Sequence, residues 1–112
     1  SSDLMLLTPF AADAKDEKTQ TFTAAYKAAY DDETPNQFAA DAYDAIYVIK
    51  AAIEKAEATP DMSVSDLCDA LKAAMTEITV DGVTGSMTWD ASGEPAKEPK
   101  AMVIKNGSYA AV

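Results

Sequence analysis

The chain has no histidine, no arginine and a single cysteine, Cys68. Without histidine it lacks the commonest general base and metal ligand. One thiol can neither close an internal disulfide nor offer a thiolate pair to zinc. Without arginine there is no bidentate fork for phosphate or carboxylate. Nineteen acidic residues against nine lysines give a formal net charge of -10, and so acidic a surface repels a nucleic-acid backbone. These absences argue against nucleic acid as a partner, and no catalytic residue, metal site or cofactor is expected. No apolar run approaches the roughly 18 residues of a membrane-spanning helix, since Leu4 to Phe10 is the longest such stretch near the N-terminus. Ser1-Ser2-Asp3 shows no basic stretch leading into a long apolar one, so an export signal is expected to have been removed or to lie upstream.

What is present is the balance of a soluble globular protein, 48% hydrophobic and 25% charged. At 112 residues there is material for one domain, too little for two lobes with a cleft between them. Leu4-Met5-Leu6-Leu7, closed by Thr8-Pro9, reads as a short strand buried on both faces, which implies a sheet larger than this chain can supply. From Lys18 to Tyr30, Phe22, Ala25, Tyr26, Ala29 and Tyr30 recur at helical spacing, with Asp16 and Glu17 where the helix dipole favours negative charge. Asp31-Asp32-Glu33-Thr34-Pro35 breaks this helix. Asn36 is placed to cap a longer one, with Phe38, Ala42, Ala45, Ile46, Ile49 and Ile53 on one stripe and Ala39, Tyr43 and Tyr47 on its flank. So wide an apolar surface predicts more than one packing neighbour. Ser63 or Ser65 can cap a third helix, whose apolar face of Val64, Leu67, Cys68, Leu71 and Met75 predicts a buried, inert Cys68.

After Glu77 the pattern turns to strands, Ile78 to Val80, Thr84 to Trp89 and Ala101 to Lys105. Asp90-Ala91-Ser92-Gly93 reads as a tight turn, and Asn106-Gly107 as a two-residue hairpin pairing Met102-Val103-Ile104 with Tyr109 to Val112. Glu94 to Lys100, with two prolines, reads as a loop. Asp41 and Asp44 lie three apart on one helix, but no third ligand supports them, and solvated charge is the expectation. Asp90 to Glu94 lacks the alternating oxygen ligands of a calcium loop. Trp89 and the tyrosines are expected in the core rather than as a sugar platform.

The order of an apolar strand, a helix, a long helix opening Asn36-Gln37-Phe38-Ala39-Ala40-Asp41-Ala42-Tyr43-Asp44-Ala45, a short helix, and Asp81-Gly82-Val83-Thr84-Gly85 leading into Trp89-Asp90-Ala91-Ser92-Gly93 is distinctive. It resembles the C-terminal part of branched-chain amino-acid type periplasmic binding proteins over almost the whole chain. The resemblance implies an α/β fold, the C-terminal part of two lobes joined by three crossovers, with three helices and a short β tail. Residues 1–10 would be a late lobe strand and crossover, 11–76 a helical layer over a sheet supplied by other sequence, and 77–112 the β tail. Asp31-Asp32 stands where that family often ends the helix with glycine.

The implied function is non-enzymatic: binding an amino acid or similar small solute and presenting it to the membrane subunits of an ABC importer, in the periplasm or outside the cell. By the same resemblance Phe38 lines the pocket, Phe10 and Asp41 are further ligand-binding candidates, and Thr8 and Pro9 lie near a hinge. An amphipathic helix would equally use Phe38 as a core anchor. Exposed sheet-facing surfaces predict a homo-oligomer or domain-swapped pair. Two other readings stand beside this one: a structural or interaction fragment without a solute, and the ligand-binding domain of a sensor.

Overall fold

The structure, a computed structural model, describes residues 4–112, so the reading of Ser1-Ser2-Asp3 lies outside it. Strand β1 (Met5–Thr8) leads through Phe10 into helix α1 (Glu17–Ala29). Asp16 caps α1, accepting from the Thr19 N–H at 2.9 Å, while the fully buried Thr19 hydroxyl donates to the same carboxylate. Asp31 and Asp32 follow with φ of 48° and 63°, a left-handed turn that aspartate tolerates better than most side chains. The departure from glycine thus falls on backbone for which glycine is the easiest residue. Asn36 caps α2 (Gln37–Lys55), its Oδ1 3.0 Å from the Ala39 N–H, and Ser63 caps α3 (Val64–Met75) through the Asp66 N–H.

The tail contributes β2 (Val80–Gly82), β3 (Gly85–Trp89), β4 (Pro95–Ala96), β5 (Lys100–Lys105) and β6 (Ser108–Ala111). These form two antiparallel sheets, β2-β3-β4 and β1-β5-β6. Asn106 and Gly107, at φ of 50° and 77°, make the two-residue turn between β5 and β6, with Ile104 opposite Tyr109 as the spacing predicts. Asp90 organises the other turn, its Oδ1 accepting from the N–H groups of Ser92 and Glu94, with Gly93 at φ 88°. The expected loop from Glu94 to Lys100 is corrected in two places: Pro95 and Ala96 pair with Trp89 and Thr88, and Lys100 opens β5 opposite Thr8.

The core is small. Phe10, Phe22, Ala40 and Val83 form it, backed by Ala12, Tyr26 and Ala39, and the Phe10 and Phe22 rings meet edge to face at 5.7 Å. A radius of gyration of 16.8 Å exceeds the ~13 Å of a compact domain of this length, because the β1-β5-β6 sheet stands off the helical body.

Four expectations about burial are overturned, three at apolar and aromatic side chains and one at Asp44. β1 is not enclosed on both faces here: Leu7 is 71% exposed, because little covers its face of the sheet among the described residues. Cys68 is exposed, not buried, although Leu67 and Leu71 of the same predicted face are half-buried. The aromatics are divided, with Tyr26 and Trp89 half-buried and Tyr30, Tyr43, Tyr47 and Tyr109 exposed.

The largest correction concerns Asp44, which is 3% exposed and so not a solvated charge. Its Oδ1 accepts from the Val83 N–H at 2.9 Å, and its Oδ2 from the Thr84 N–H at 2.9 Å and the Thr84 hydroxyl at 2.5 Å. A Cβ built on Gly82 would fall inside this carboxylate, so glycine is required by close approach. The middle of α2 is thereby bolted to the turn between β2 and β3 by charge-assisted hydrogen bonds.

Asp44→Asn would turn an amide donor toward one of these donors. We expect it to cost about 2 kcal/mol or more, read as a lower urea midpoint, whereas Asp41→Asn should cost less than about 1 kcal/mol. Hydrogen bonding from the Thr19 N–H, the largest influence, holds the Asp16 carboxyl below its usual 3.8, with partial burial opposing. A depressed folded-state pKa stabilises the fold above the unfolded value and is lost as pH falls through the folded one. Asp16→Ala should therefore cost about 1 kcal/mol near neutral pH, and the difference from the parent should vanish in acid unfolding experiments below that folded value.

Candidate functional site

Helix α2 is held by the face opposite to its most apolar one. Ala40, Asp44 and Ala52 are buried, whereas Phe38 is 70% exposed and Ile46 67%, with Ile49 and Ile53 also exposed. The stripe read from the sequence is therefore real in the backbone but has no partner within the described residues. Phe38 opens that stripe at the first turn, beside the point where the chain crosses from β1 to the helices. There the Thr8 hydroxyl donates to Gln37 Oε1 at 2.9 Å and accepts from the Phe10 N–H at 3.3 Å.

Asp41, one turn beyond Phe38, is half-buried and lies 3.6 Å from Lys97 Nζ. Lys97 belongs to the segment returning from β4 to β5, and it also donates to the Thr84 hydroxyl at 2.7 Å. That hydroxyl donates in turn to Asp44, so one chain of contacts links Lys97, Thr84 and Asp44. Neither Gln37 nor Lys97 stood out as a site residue by type. The available signals were a lysine between two prolines, Pro95 and Pro99, and a residue beside a helix cap.

The structure separates the remaining candidates. Phe10 is 3% exposed, its ring taken up by the core, and it presents no free face to a solute. Pro9 lies at a cavity of about 200 Å³ with Leu7, Thr8, Lys97, Glu98 and Pro99. A larger cavity of about 440 Å³ lies between α2 and β2, lined by Tyr43, Tyr47, Lys18, Lys50, Val80 and Gly82 among others. The Tyr47 hydroxyl stands 3.3 Å from that of Tyr43, and this hydrogen bond, more than burial, raises the Tyr43 pKa above its usual 10.0. Phe38 and Asp41 line neither cavity. Among the described residues no group of acidic side chains and cysteine could hold a metal ion, and no helix is long and apolar enough to cross a membrane. Chemically the arrangement offers an exposed ring, a carboxylate with a bound ammonium, and a crossing of two chain segments.

No curated protein sequence matches the chain. Solved structures do. An ABC transporter substrate-binding protein from Desulfitobacterium hafniense, solved with Leu, superposes with a TM-score of 0.80 at 21% identity over 99% of this chain and 31% of its own. A protein from Rhodospirillum rubrum, described as a branched-chain amino acid ABC transporter, is 31% identical with a TM-score of 0.70, covering 96% of this chain and 30% of its own. The branched-chain amino acid transporter substrate-binding protein LivJ from Streptococcus pneumoniae, solved with isoleucine, is 27% identical with a TM-score of 0.75 over 98% of this chain and 29% of its own. The chain thus spans about three-tenths of the length of these structures. Its three helices and β tail are an α/β piece of their fold, as the order of motifs implied. The family model described as "Periplasmic binding protein" matches residues 2–106, and the chain belongs to that family.

Proposed function

We propose that the chain is the C-terminal part of the solute-binding component of an ABC importer, acting in the periplasm or outside the cell on an amino acid or a similar small carboxylate. The observation that supports this best is Phe38, an aromatic ring left exposed in the first turn of α2 beside the crossing of the two connecting segments. Related structures hold leucine, isoleucine and benzoate, each a carboxylate with an apolar body, and an exposed ring suits that body. Phe38 would contact the apolar part of the solute and Asp41, one turn on, would face an ammonium group, while Phe10 would support them from the core. Thr8 and Pro9 would lie at the hinge. Residues of β1, β5 and β6 would belong to one lobe and the helical body with β2-β3-β4 to the other. The job is binding and presentation to the importer's membrane subunits, without chemistry on the solute.

Beyond Phe38, the exposed part of the α2 stripe, Ile46, Ile49 and Ile53, has a simpler cover than a second copy, namely the remaining seven-tenths of the relatives' length. The homo-oligomer expected from the sequence is therefore not part of the proposal. A second reading, a structural fragment with no solute of its own, draws support from that same small share of the relatives.

Intact mass and thermal shift against amino acids and small carboxylates separate the two. A longer native chain whose midpoint rises with one solute supports the importer reading, and a 112-residue chain that no solute shifts supports the fragment. In the solute-responsive protein, Phe38→Ala should weaken binding about tenfold or more through lost apolar contact, with little change in the midpoint of the solute-free protein. Unchanged affinity would remove Phe38 from the site.

A further inference from the structure

Two segments connect the helical body to the β1-β5-β6 sheet: Pro9-Phe10 after β1, and Lys97-Glu98-Pro99 before β5. They leave the sheet side by side, because Thr8 is paired with Lys100, and continuing that register by one residue sets Pro9 opposite Pro99. Neither proline has an N–H, so the ladder cannot extend past this step. An open groove of about 200 Å³ borders both prolines.

On the helical side of that step both segments are tied to α2. The first is held by Phe10 in the core, while Thr8, the last residue of β1 on the sheet side, donates to Gln37 across the step, as the Ala111 N–H of β6 donates to the Asp13 carboxylate. The second is held by Lys97, whose ammonium reaches the Thr84 hydroxyl at 2.7 Å and Asp41 at 3.6 Å. Thr84 is itself fully buried and donates to Asp44, so Lys97 is coupled to the bolt that fixes α2. This is more than a surface ion pair: one of the lysine's two partners is a buried hydroxyl in a satisfied network. The Lys97 side chain is 23% exposed, which limits the alternatives it can sample.

We propose that Lys97 is a clasp that fixes the returning segment to α2, holds the Asp41 carboxylate beside Phe38, and confines bending between sheet and helical body to the Pro9–Pro99 step. The inference rests on the reading of Thr8 and Pro9 as hinge residues, and it makes Lys97 a positioning residue without direct contact to solute. Without the clasp the flexible stretch would grow to include Lys97 and the β4 pairing, and the two parts would sample a wider range of angles.

The test places spin labels on Cys68 of α3 and on Ser108→Cys of β6, both exposed, in the full-length protein with any other thiol replaced. The parent and Lys97→Arg should each give one narrow distance, and Lys97→Met should lose it to a broad distribution. Amide exchange at Thr84 in Lys97→Met should accelerate about tenfold, with protection of the β5–β6 hairpin unchanged. A Lys97→Met distribution as narrow as the parent's would overturn the clasp. So would broadening accompanied by lost protection across α1 and α2, which would make Lys97 a general stabiliser. Solute binding is read separately: broadening in a protein that binds no solute retains the clasp and removes the importer reading, and normal binding with unbroadened distances does the reverse.

Discussion

A single buried carboxylate sets the geometry of the helical body. Asp44 takes three donors from two consecutive residues, Val83 and Thr84, while Gly82 lets the backbone come close enough to deliver them. Burying a charge is costly unless its lone pairs are met, and here they are met by amides whose positions the β2–β3 turn already defines. The orientation of α2 follows, because its middle turn has one place to sit. Val83 is carried by the same contact into the core between Phe10, Phe22 and Ala40. Thr84 then becomes a buried hydroxyl able to receive Lys97.

This bolt explains an unusual division of labour on α2. In an ordinary amphipathic helix the apolar stripe is the anchoring side. Here two alanines and an aspartate make the local contacts, and the stripe from Phe38 through Ile46 to Ile53 stays exposed. Small residues allow close approach and polar bonds give a defined register, so the large apolar side chains are not needed to anchor α2 among the described residues. Leu7 on β1 is likewise exposed. Both faces suit a piece spanning about three-tenths of the related structures, and the extended shape of the chain fits that too.

Local signals in the sequence were legible where the chemistry is local. The Asn36 cap, a serine cap at Ser63 or Ser65, the Asn106-Gly107 hairpin and the Gly93 turn were readable because each is decided within a few residues by one side chain or one backbone angle, and the structure selects Ser63. The pairing of Pro95 with Trp89 was hidden, since proline removes a donor and reads as a breaker although it can still accept at a sheet edge. Of the site, Phe38 and Asp41 were visible as residues on a helix face, but the partner of Asp41 was not, because Lys97 lies far along the chain in an irregular segment.

What the sequence determined by itself is the set of elements apart from β4, the periodicity of their faces, and a motif order specific enough to imply the family, all properties that repeat over short distances. What the tertiary structure decided is which face is covered. Asp44 and Asp41 are the same residue type three positions apart on one helix, yet one is enclosed by backbone amides from 39 and 40 residues away and the other meets a lysine at the surface. Burial of a charge depends on donors that arrive from distant sequence, and periodicity carries no information about those donors.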